Sequence, residues 1–149
     1  HIAKFHGMYN GQANAPVLIR TPMGARRGYG PTHSQTLEKI FLGTPGLTVL
    51  APFHLQGSTE LGAPGQLLYN AILQQEGPTF FVENKLQYLL KLLSPEDLQE
   101  YVLTENLPKD GFPAPCTTLS LRDAPPPQIT LTAYGYMAHL ALRAAQPGL

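Results

Sequence analysis

Residues 24–40, GARRGYGPTHSQTLEKI, bring together the residue types that a polar binding site needs. Arg26 and Arg27 can pair with a carboxylate or a phosphate through parallel hydrogen bonds. The glycines allow backbone conformations and close approaches that a Cβ atom would block. His33 can accept or donate a proton near neutral pH. The segment therefore predicts a loop that binds an anion or a polar substrate, although an ordinary capped turn explains the same residues.

The same segment predicts a helix after the loop. Thr32 and Gln35 have the spacing of a capping box, which begins a helix. Apolar residues at helical spacing continue over Ser34–Leu42, and Gly43 is a natural C-terminal stop. This arrangement would place His33 in the first turn, where the positive end of the helix dipole favours a neutral ring. The glycine spacing matches neither the P-loop nor the dinucleotide fingerprint.

The remaining candidates for chemistry are scattered. The other histidines show no metal-ligand pair at helical spacing and are expected at the surface or the edge of the core: His1, His6, His54 and His139. The single cysteine, Cys116, excludes an internal disulfide and a cysteine-based metal cluster. No G-x-S-x-G motif is present, so a hydrolase triad is disfavoured.

Three short apolar runs bounded by glycine or proline predict strands at Val17–Arg20, Leu47–Ala51 and Thr79–Val82. A second helix is predicted between the last two, with one face formed by Leu67, Leu68, Ala71 and Ile72. Alternating strands and helices are typical of a parallel sheet with crossover helices, which binds ligands at the carboxyl ends of its strands. The arginine and histidine loop would leave the first strand at that edge. Glu83 and Asn84 follow the third strand at the same edge. They could contact a ligand there, and capping of the next turn explains them equally well.

The pattern changes after residue 92. Residues 94–97, SPED, cap a short helix whose inward residues are predicted to be Leu98, Tyr101 and Val102. A proline-rich loop is predicted over Pro108–Pro127, followed by a strand over Ile129–Ala133. A helix then runs over Tyr136–Ala145, with Met137, Leu140 and Ala141 on one side. One strand and one helix cannot bury both faces, so we expect the rest of a second domain to lie beyond this sequence.

Composition narrows the class of protein. The 149 residues are 43% hydrophobic, which suits one domain or part of a larger one. Ten basic and ten acidic side chains cancel, so no basic field favours nucleic acid or an anionic membrane. The first residues lack the charged-then-apolar pattern of a signal peptide, and no apolar run approaches the roughly 20 residues needed to span a bilayer. We expect a soluble, cytoplasmic chain and, because no initiator methionine is present, a piece of a longer protein.

Two stretches carry a resemblance to a known family: APVLIRTPMGARRGYGPTHSQTLEKIFLGTPGLTVLAP and LLYNAILQQEGPTFFVENKLQY. Together they resemble the beta subunit of thiamine-diphosphate-dependent 2-oxoacid dehydrogenases of the pyruvate, branched-chain and acetoin type. The likeness covers residues 1 to 92 and resumes at ITLTAYGYMAHLALRAA. It implies a three-layer α/β fold with a parallel sheet, in which residues 1–92 are the back half of a pyrimidine-binding, transketolase-like domain. Residues 93–128 would be a linker, and 129–149 the first βα unit of the C-terminal domain.

The resemblance also implies site residues. His33 matches the active-site histidine of the family's H-S-Q motif, and we expect Arg26, Arg27 and Gln35 to bind substrate. A structural potassium ion, common in the family, would be held near Val17, Ala71, Ile72 and Gln74, although Gln74 and Glu76 replace residues often found there.

The reaction implied is oxidative decarboxylation of a 2-oxo acid with acyl transfer to a lipoyl group. Thiamine diphosphate and its magnesium would be held mainly by an alpha subunit or domain. Other expected partners are a lipoyl-bearing acyltransferase and further copies of the beta part. Two alternatives stay open: a catalytically silent interaction module, and another transketolase-like enzyme that acts on a sugar phosphate.

Overall fold

The computed structural model describes residues 1–25, 28–59 and 61–146. The helices and strands, joined by short 3-10 turns, are α1 (Phe5–Met8), β1 (Leu18–Met23), β2 (Thr48–Leu50), α2 (Pro64–Gln74), β3 (Thr79–Asn84), β4 (Tyr101–Asn106), β5 (Cys116–Leu121) and α3 (Gly135–Ala145). The chain forms two compact units. The first contains His1–Ala51 and Leu68–Tyr88, and the second contains Pro52–Leu67 and Leu89–Leu149.

The first unit is built on a parallel sheet with the strand order β1-β3-β2, which confirms the predicted α/β class. The central strand, β3, is buried on both faces, because Thr79, Phe81 and Val82 are nearly inaccessible although neighbouring side chains point to opposite sides. Burial on both faces is typical of parallel sheets, whose strands are apolar without strict alternation.

Strand β1 is longer than predicted. The prediction ended it at Arg20, before Thr21 and Pro22, because proline lacks the N–H that a sheet ladder needs. The strand continues to Met23, and Pro22 stands opposite Glu83. Among the described residues β1 pairs only with β3, and an edge strand tolerates proline because one of its sides makes no ladder.

The helix predicted over Ser34–Leu42 is wrong. Two 3-10 turns are found here instead: Pro31–His33, just before this segment, and Glu38–Ile40, within it. No side-chain hydrogen bond caps the first of them, so the predicted capping box of Thr32 and Gln35 does not form. A helix this short is marginal by itself. A contact between residues distant in sequence stabilises the turns instead: Phe41 stacks on Phe80 of β3 with ring centroids 4.5 Å apart.

Helix α2 is confirmed, but its buried face is only partly as predicted. Leu67 and Ala71 are buried, whereas Ile72 is 58% exposed and Asn70 is buried in its place. The helix crosses the boundary between the units, since the first unit begins again at Leu68. No helix in the described part of the chain has the length and apolar character that crossing a bilayer demands.

The second unit has its own core, formed by Leu55, Leu98, Tyr101 and Leu142. Strands β4 and β5 form an antiparallel hairpin that packs Leu103 and Leu119 against this core. The loop predicted over Pro108–Pro127 is therefore wrong for Cys116–Leu121, where β-branched and apolar residues make a strand between two proline-containing segments. Val102, predicted to point inward, is exposed because it lies on the outer face of β4.

The capping box predicted at Ser94 is confirmed. The Asp97 carboxylate accepts a hydrogen bond from the Ser94 backbone N–H at 2.9 Å and begins the 3-10 turn Pro95–Leu98. Lys91 lies 2.7 Å from the same carboxylate. Hydrogen bonding, first from Lys91 and then from Ser94, lowers the pKa of Asp97 to about 2. Sequence spacing was sufficient here because every partner lies within six residues.

The strand predicted over Ile129–Ala133 is wrong: these residues pair with no described strand, and Ile129 and Leu131 are exposed. The sequence has the strand pattern, but a strand needs a neighbour for its backbone N–H and C=O groups. Helix α3 is confirmed, although it contributes Leu142 to the core while Met137 is exposed.

Two histidine rings meet at the edge of this core. His54 is buried, and its ring centroid lies 5.0 Å from that of His139. Burial and then the neighbouring His139 lower the pKa of His54 from 6.5 to about 4. Burial and then Arg143 lower the pKa of His139 as well. Folding therefore favours neutral rings at both positions.

We expect the second unit to lose stability as the pH falls from 7 to 5. In that window His54 becomes protonated in the unfolded chain, where its pKa is 6.5. It stays neutral in the folded chain, where its pKa is about 4. This difference in pKa lowers the free energy of unfolding by about 2 kcal/mol at pH 5. Urea unfolding followed by the methyl NMR signals of Leu142 measures it. The His54→Gln variant should show a flatter pH dependence of this signal than the wild type. Equal slopes in the two proteins would refute the assignment.

Candidate functional site

The carboxyl ends of β1 and β3 lie side by side in the first unit. Met23, the last residue of β1, is in register with Asn84, the last residue of β3. The loop that carries His33 leaves the sheet directly after Met23. The predicted position of this loop, after the first strand and at the carboxyl edge, is therefore the observed one.

Lys85 bonds to the end of β1 through its backbone and to the loop through its side chain. Its backbone N–H donates to the Met23 carbonyl at 2.9 Å, which extends the pairing of the two strands by one residue. Its ammonium group donates a hydrogen bond to the backbone carbonyl of His33. The same ammonium lies 5.4 Å from the centre of the Tyr29 ring, within the range of a cation–π contact.

A second connection begins at Gly24. Its backbone N–H donates to the carbonyl of Gln35 at 3.1 Å, which closes the loop at its base. Gly24 is buried and has a φ of +100°, and a Cβ atom there would lie 2.8 Å from the side-chain nitrogen of Asn84. Asn84 in turn accepts a hydrogen bond from the Leu86 N–H at 3.0 Å. The turn-capping explanation of Asn84 is thus the observed one.

Glu83 holds the same edge in another way. Its carboxylate accepts a hydrogen bond from Arg20 Nε at 2.8 Å and lies 2.7 Å from Arg20 Nη2. The Tyr88 hydroxyl donates to the other carboxylate oxygen at 2.7 Å. Burial and then this hydrogen bond raise the pKa of Tyr88 to about 12, so the phenol stays protonated. Glu83 is therefore occupied in joining β1, β3 and the turn that follows.

His33 is the exposed last residue of the 3-10 turn Pro31–His33. The helix whose dipole was expected to act on this ring is absent, so that part of the interpretation is wrong. What fixes His33 is its backbone carbonyl. The side chain of Gln35 donates to the Pro31 carbonyl at 3.4 Å, within its own loop. Arg26 and Arg27, the other predicted substrate ligands, lie outside the described residues.

The residues predicted for potassium lie at two places in the first unit. The Val17 carbonyl accepts a hydrogen bond from the Thr79 N–H at 2.9 Å, just before β1 begins. Ala71, Ile72 and Gln74 belong to the last turn of α2. The last four carbonyls of any α-helix have no intrahelical partner, so these three residues have the oxygen atoms that a hard cation needs. Within the described ranges, no three His, Cys, Asp or Glu side chains cluster as metal ligands.

Comparison with known proteins finds relatives of one kind, the beta subunits of oxidoreductases. The chain is 32% identical over 144 residues to the beta subunit of acetoin:2,6-dichlorophenolindophenol oxidoreductase of Bacillus subtilis, and 34% identical to that of Cupriavidus necator. Both matches cover 96% of this chain. The 2-oxoisovalerate dehydrogenase subunit beta of B. subtilis is 29% identical. The chain is homologous to the beta subunits of 2-oxoacid dehydrogenases. No protein-family profile matches it.

The homology covers only part of each beta subunit. The chain spans 36% of the two acetoin relatives and 38% of the 2-oxoisovalerate relative. It therefore matches one segment of these beta subunits, and the matched part of the chain includes the loop with His33 and the strand ends that hold it.

Four residues that hold this loop and sheet edge were missed by sequence reasoning: Arg20, Tyr29, Lys85 and Tyr88. Only Lys85 had a usable signal. It follows a predicted parallel strand directly, at the edge where the predicted loop also begins, and it lies in the E-N-K-L-Q-Y stretch that resembles the family. Arg20 and Tyr29 have partners far away in sequence, such as Glu83, 63 residues from Arg20. Tyr88 lies in the same stretch as Lys85 and five residues from its partner Glu83, but that spacing in a turn is typical of no known motif.

Proposed function

We propose that this chain is part of the beta subunit of the first, decarboxylating component of a 2-oxoacid dehydrogenase. The intact enzyme would oxidatively decarboxylate a 2-oxo acid and transfer the acyl group to a lipoyl disulfide, which is reduced. The observation that carries the proposal is the match of 97% of the chain to the beta subunits of pyruvate dehydrogenase and 2-oxoisovalerate dehydrogenase. The position of His33 at the carboxyl edge of a parallel sheet supports it, because such edges bind ligands.

His33 would handle protons on the substrate side of the site. Its imidazole is exposed, while its backbone is held by Lys85, so the ring can reach a substrate from a fixed position. Arg26 and Arg27 would pair with the carboxylate of the 2-oxo acid, and Gln35 would bind the same substrate. When bound, thiamine diphosphate supplies a nucleophilic carbon and an electron sink for decarboxylation.

The described residues fit one wall of such a site. They offer an exposed imidazole and loop backbone at the sheet edge, which suits substrate positioning. We propose that an alpha subunit or domain holds the diphosphate and its magnesium. Potassium would bind the carbonyls of Val17, Ala71, Ile72 and Gln74. The lipoyl-bearing acyltransferase and a second beta copy complete the proposed assembly, in the cytoplasm. The predicted boundaries at residues 92 and 128 remain part of the proposal.

Activity of the complete enzyme tests the function. The full-length beta subunit is combined with its alpha subunit, thiamine diphosphate and magnesium, and release of carbon dioxide from 2-oxo acids is measured with a lipoyl acceptor. Sugar phosphates are tested by loss of a ketose phosphate in the presence of an aldose phosphate, because that transfer releases no carbon dioxide. We expect turnover of pyruvate or of a branched-chain 2-oxo acid. Turnover of sugar phosphates alone would replace the proposal with the transketolase-like alternative, and no turnover of either class would contradict both.

The 149-residue chain alone is proposed to be catalytically silent, since it spans about a third of its relatives. Calorimetric titration of the isolated chain with thiamine diphosphate and magnesium should give no binding at micromolar concentrations. Tight binding would show that the chain holds the cofactor by itself and would contradict this part of the proposal. A parallel titration with potassium chloride, against sodium chloride as the control, tests the cation site.

A further inference from the structure

We propose that Lys85 is a positioning residue for His33, and this inference rests on the proposed function of the His33 loop. Lys85 follows β3 immediately and touches the two structures that have to be joined. Its backbone is bonded to the end of β1, and its ammonium group is bonded to the loop. One residue thus ties His33 to the end of the central, buried strand of the first unit.

The rigidity of that anchor comes from β3. This strand lies between β1 and β2 and carries Phe81, which is 2% exposed. A residue that immediately follows a central, buried strand has little freedom to move its backbone. The backbone of Lys85 is therefore a fixed base for its flexible side chain, and the His33 carbonyl and the Tyr29 ring hold the ammonium at the loop.

The contact point on the loop determines the consequence. Lys85 binds the backbone carbonyl of His33 itself, so it fixes the Cα position from which the imidazole projects. The contact between the ammonium and the Tyr29 ring holds the preceding turn of the loop. The imidazole makes no part of this contact and stays exposed for substrate. A misplacement of about 1 Å at a catalytic group is enough to reduce a rate by about 10²-fold.

Arg20 provides a matched comparison at the same sheet edge. Its ion pair with Glu83 also joins β1 to β3, but both partners lie outside the His33 loop. Loss of the Arg20 pair should loosen the edge without displacing His33. Loss of the Lys85 ammonium should displace His33 while the sheet pairing through the Lys85 backbone remains.

The experiment uses the complete alpha–beta enzyme with Lys85→Met, Lys85→Arg and Arg20→Gln. We expect Lys85→Met to lower kcat by about 10- to 100-fold with KM changed less than about threefold. Lys85→Arg should recover most of this loss because a guanidinium can donate to the same carbonyl. Arg20→Gln should change kcat less than about threefold. An unchanged kcat in Lys85→Met, or no recovery by arginine, would overturn the proposal.

A double-mutant cycle separates positioning of His33 from a general effect. If Lys85 acts through His33, Lys85→Met should cause no further loss in a His33→Ala background. An equal loss in both backgrounds would show that Lys85 acts by another route. Amide hydrogen exchange of residues 28–37 provides a readout that needs no activity. It should be faster in Lys85→Met than in the wild type and unchanged in Arg20→Gln. Unchanged exchange in Lys85→Met would overturn the positioning role even in a protein that proved to have a different function.

Discussion

Replacement of His33 by alanine in the complete enzyme is expected to lower kcat by about 10²- to 10⁴-fold, the range for loss of a group that transfers protons. The melting temperature should change little. His33 is exposed, and the bond that fixes its loop goes to its backbone carbonyl, which alanine retains. Surface substitutions of this kind usually alter the free energy of unfolding by less than about 0.5 kcal/mol. Steady-state kinetics with the preferred 2-oxo acid and a thermal melt measure the two effects.

His6→Ala is the control for this prediction. His6 is also exposed, and its ring lies 2.6 Å from the Asn14 side chain, far along the chain from the proposed site. Its loss should leave kcat within about twofold of the wild type. If His33→Ala instead kept full turnover but melted at a lower temperature, His33 would be a structural residue of its turn, and the proposed proton transfer would be wrong.

The parallel sheet could be predicted because its signals are local. Each strand is a short apolar run with a glycine or proline boundary, and α2 has helical periodicity between two of them. The failures occurred where partners distant in sequence decide the conformation. Ser34–Leu42 has a helical pattern but forms turns, because Phe41 packs on Phe80. Cys116–Leu121 forms a strand because β4 offers a partner, whereas Ile129–Ala133 has none among the described residues.

The candidate site shows the same division. The position of His33 at the carboxyl edge followed from the order of strands, and its proposed role followed from the family resemblance. The way the loop is held did not follow from either. Lys85 is 52 residues from His33, and their contact depends on the register that places Met23 beside Asn84. Residue types and spacing indicate what a loop can do, whereas strand register determines what holds it in place.

Gly24 follows the last residue of β1 and begins the His33 loop. We expect Gly24→Ala to lower stability in two ways. A side chain at a φ of +100° is strained by roughly 1–2 kcal/mol. The new Cβ atom would also displace Asn84, which would lose its hydrogen bond from Leu86, worth about 1 kcal/mol. The first unit should lose about 2–3 kcal/mol of stability. Turnover of the complete enzyme should fall as well, because a shift of the strained backbone would displace the residue 24 N–H from the Gln35 carbonyl and open the base of the His33 loop.

Gly28→Ala is the matched control for the steric part of this loss. Gly28 also has a positive φ, +72°, but among the described residues other than its chain neighbours no heavy atom lies within 4 Å of its Cβ position. It should show backbone strain alone, so urea unfolding should find it about 1 kcal/mol more stable than Gly24→Ala. Adding Asn84→Ala to Gly24→Ala removes the obstructing side chain. The two substitutions should then cost less together than the sum of their separate effects. Equal losses at both glycines, or simple additivity with Asn84→Ala, would show that backbone strain alone makes glycine necessary at the start of this loop.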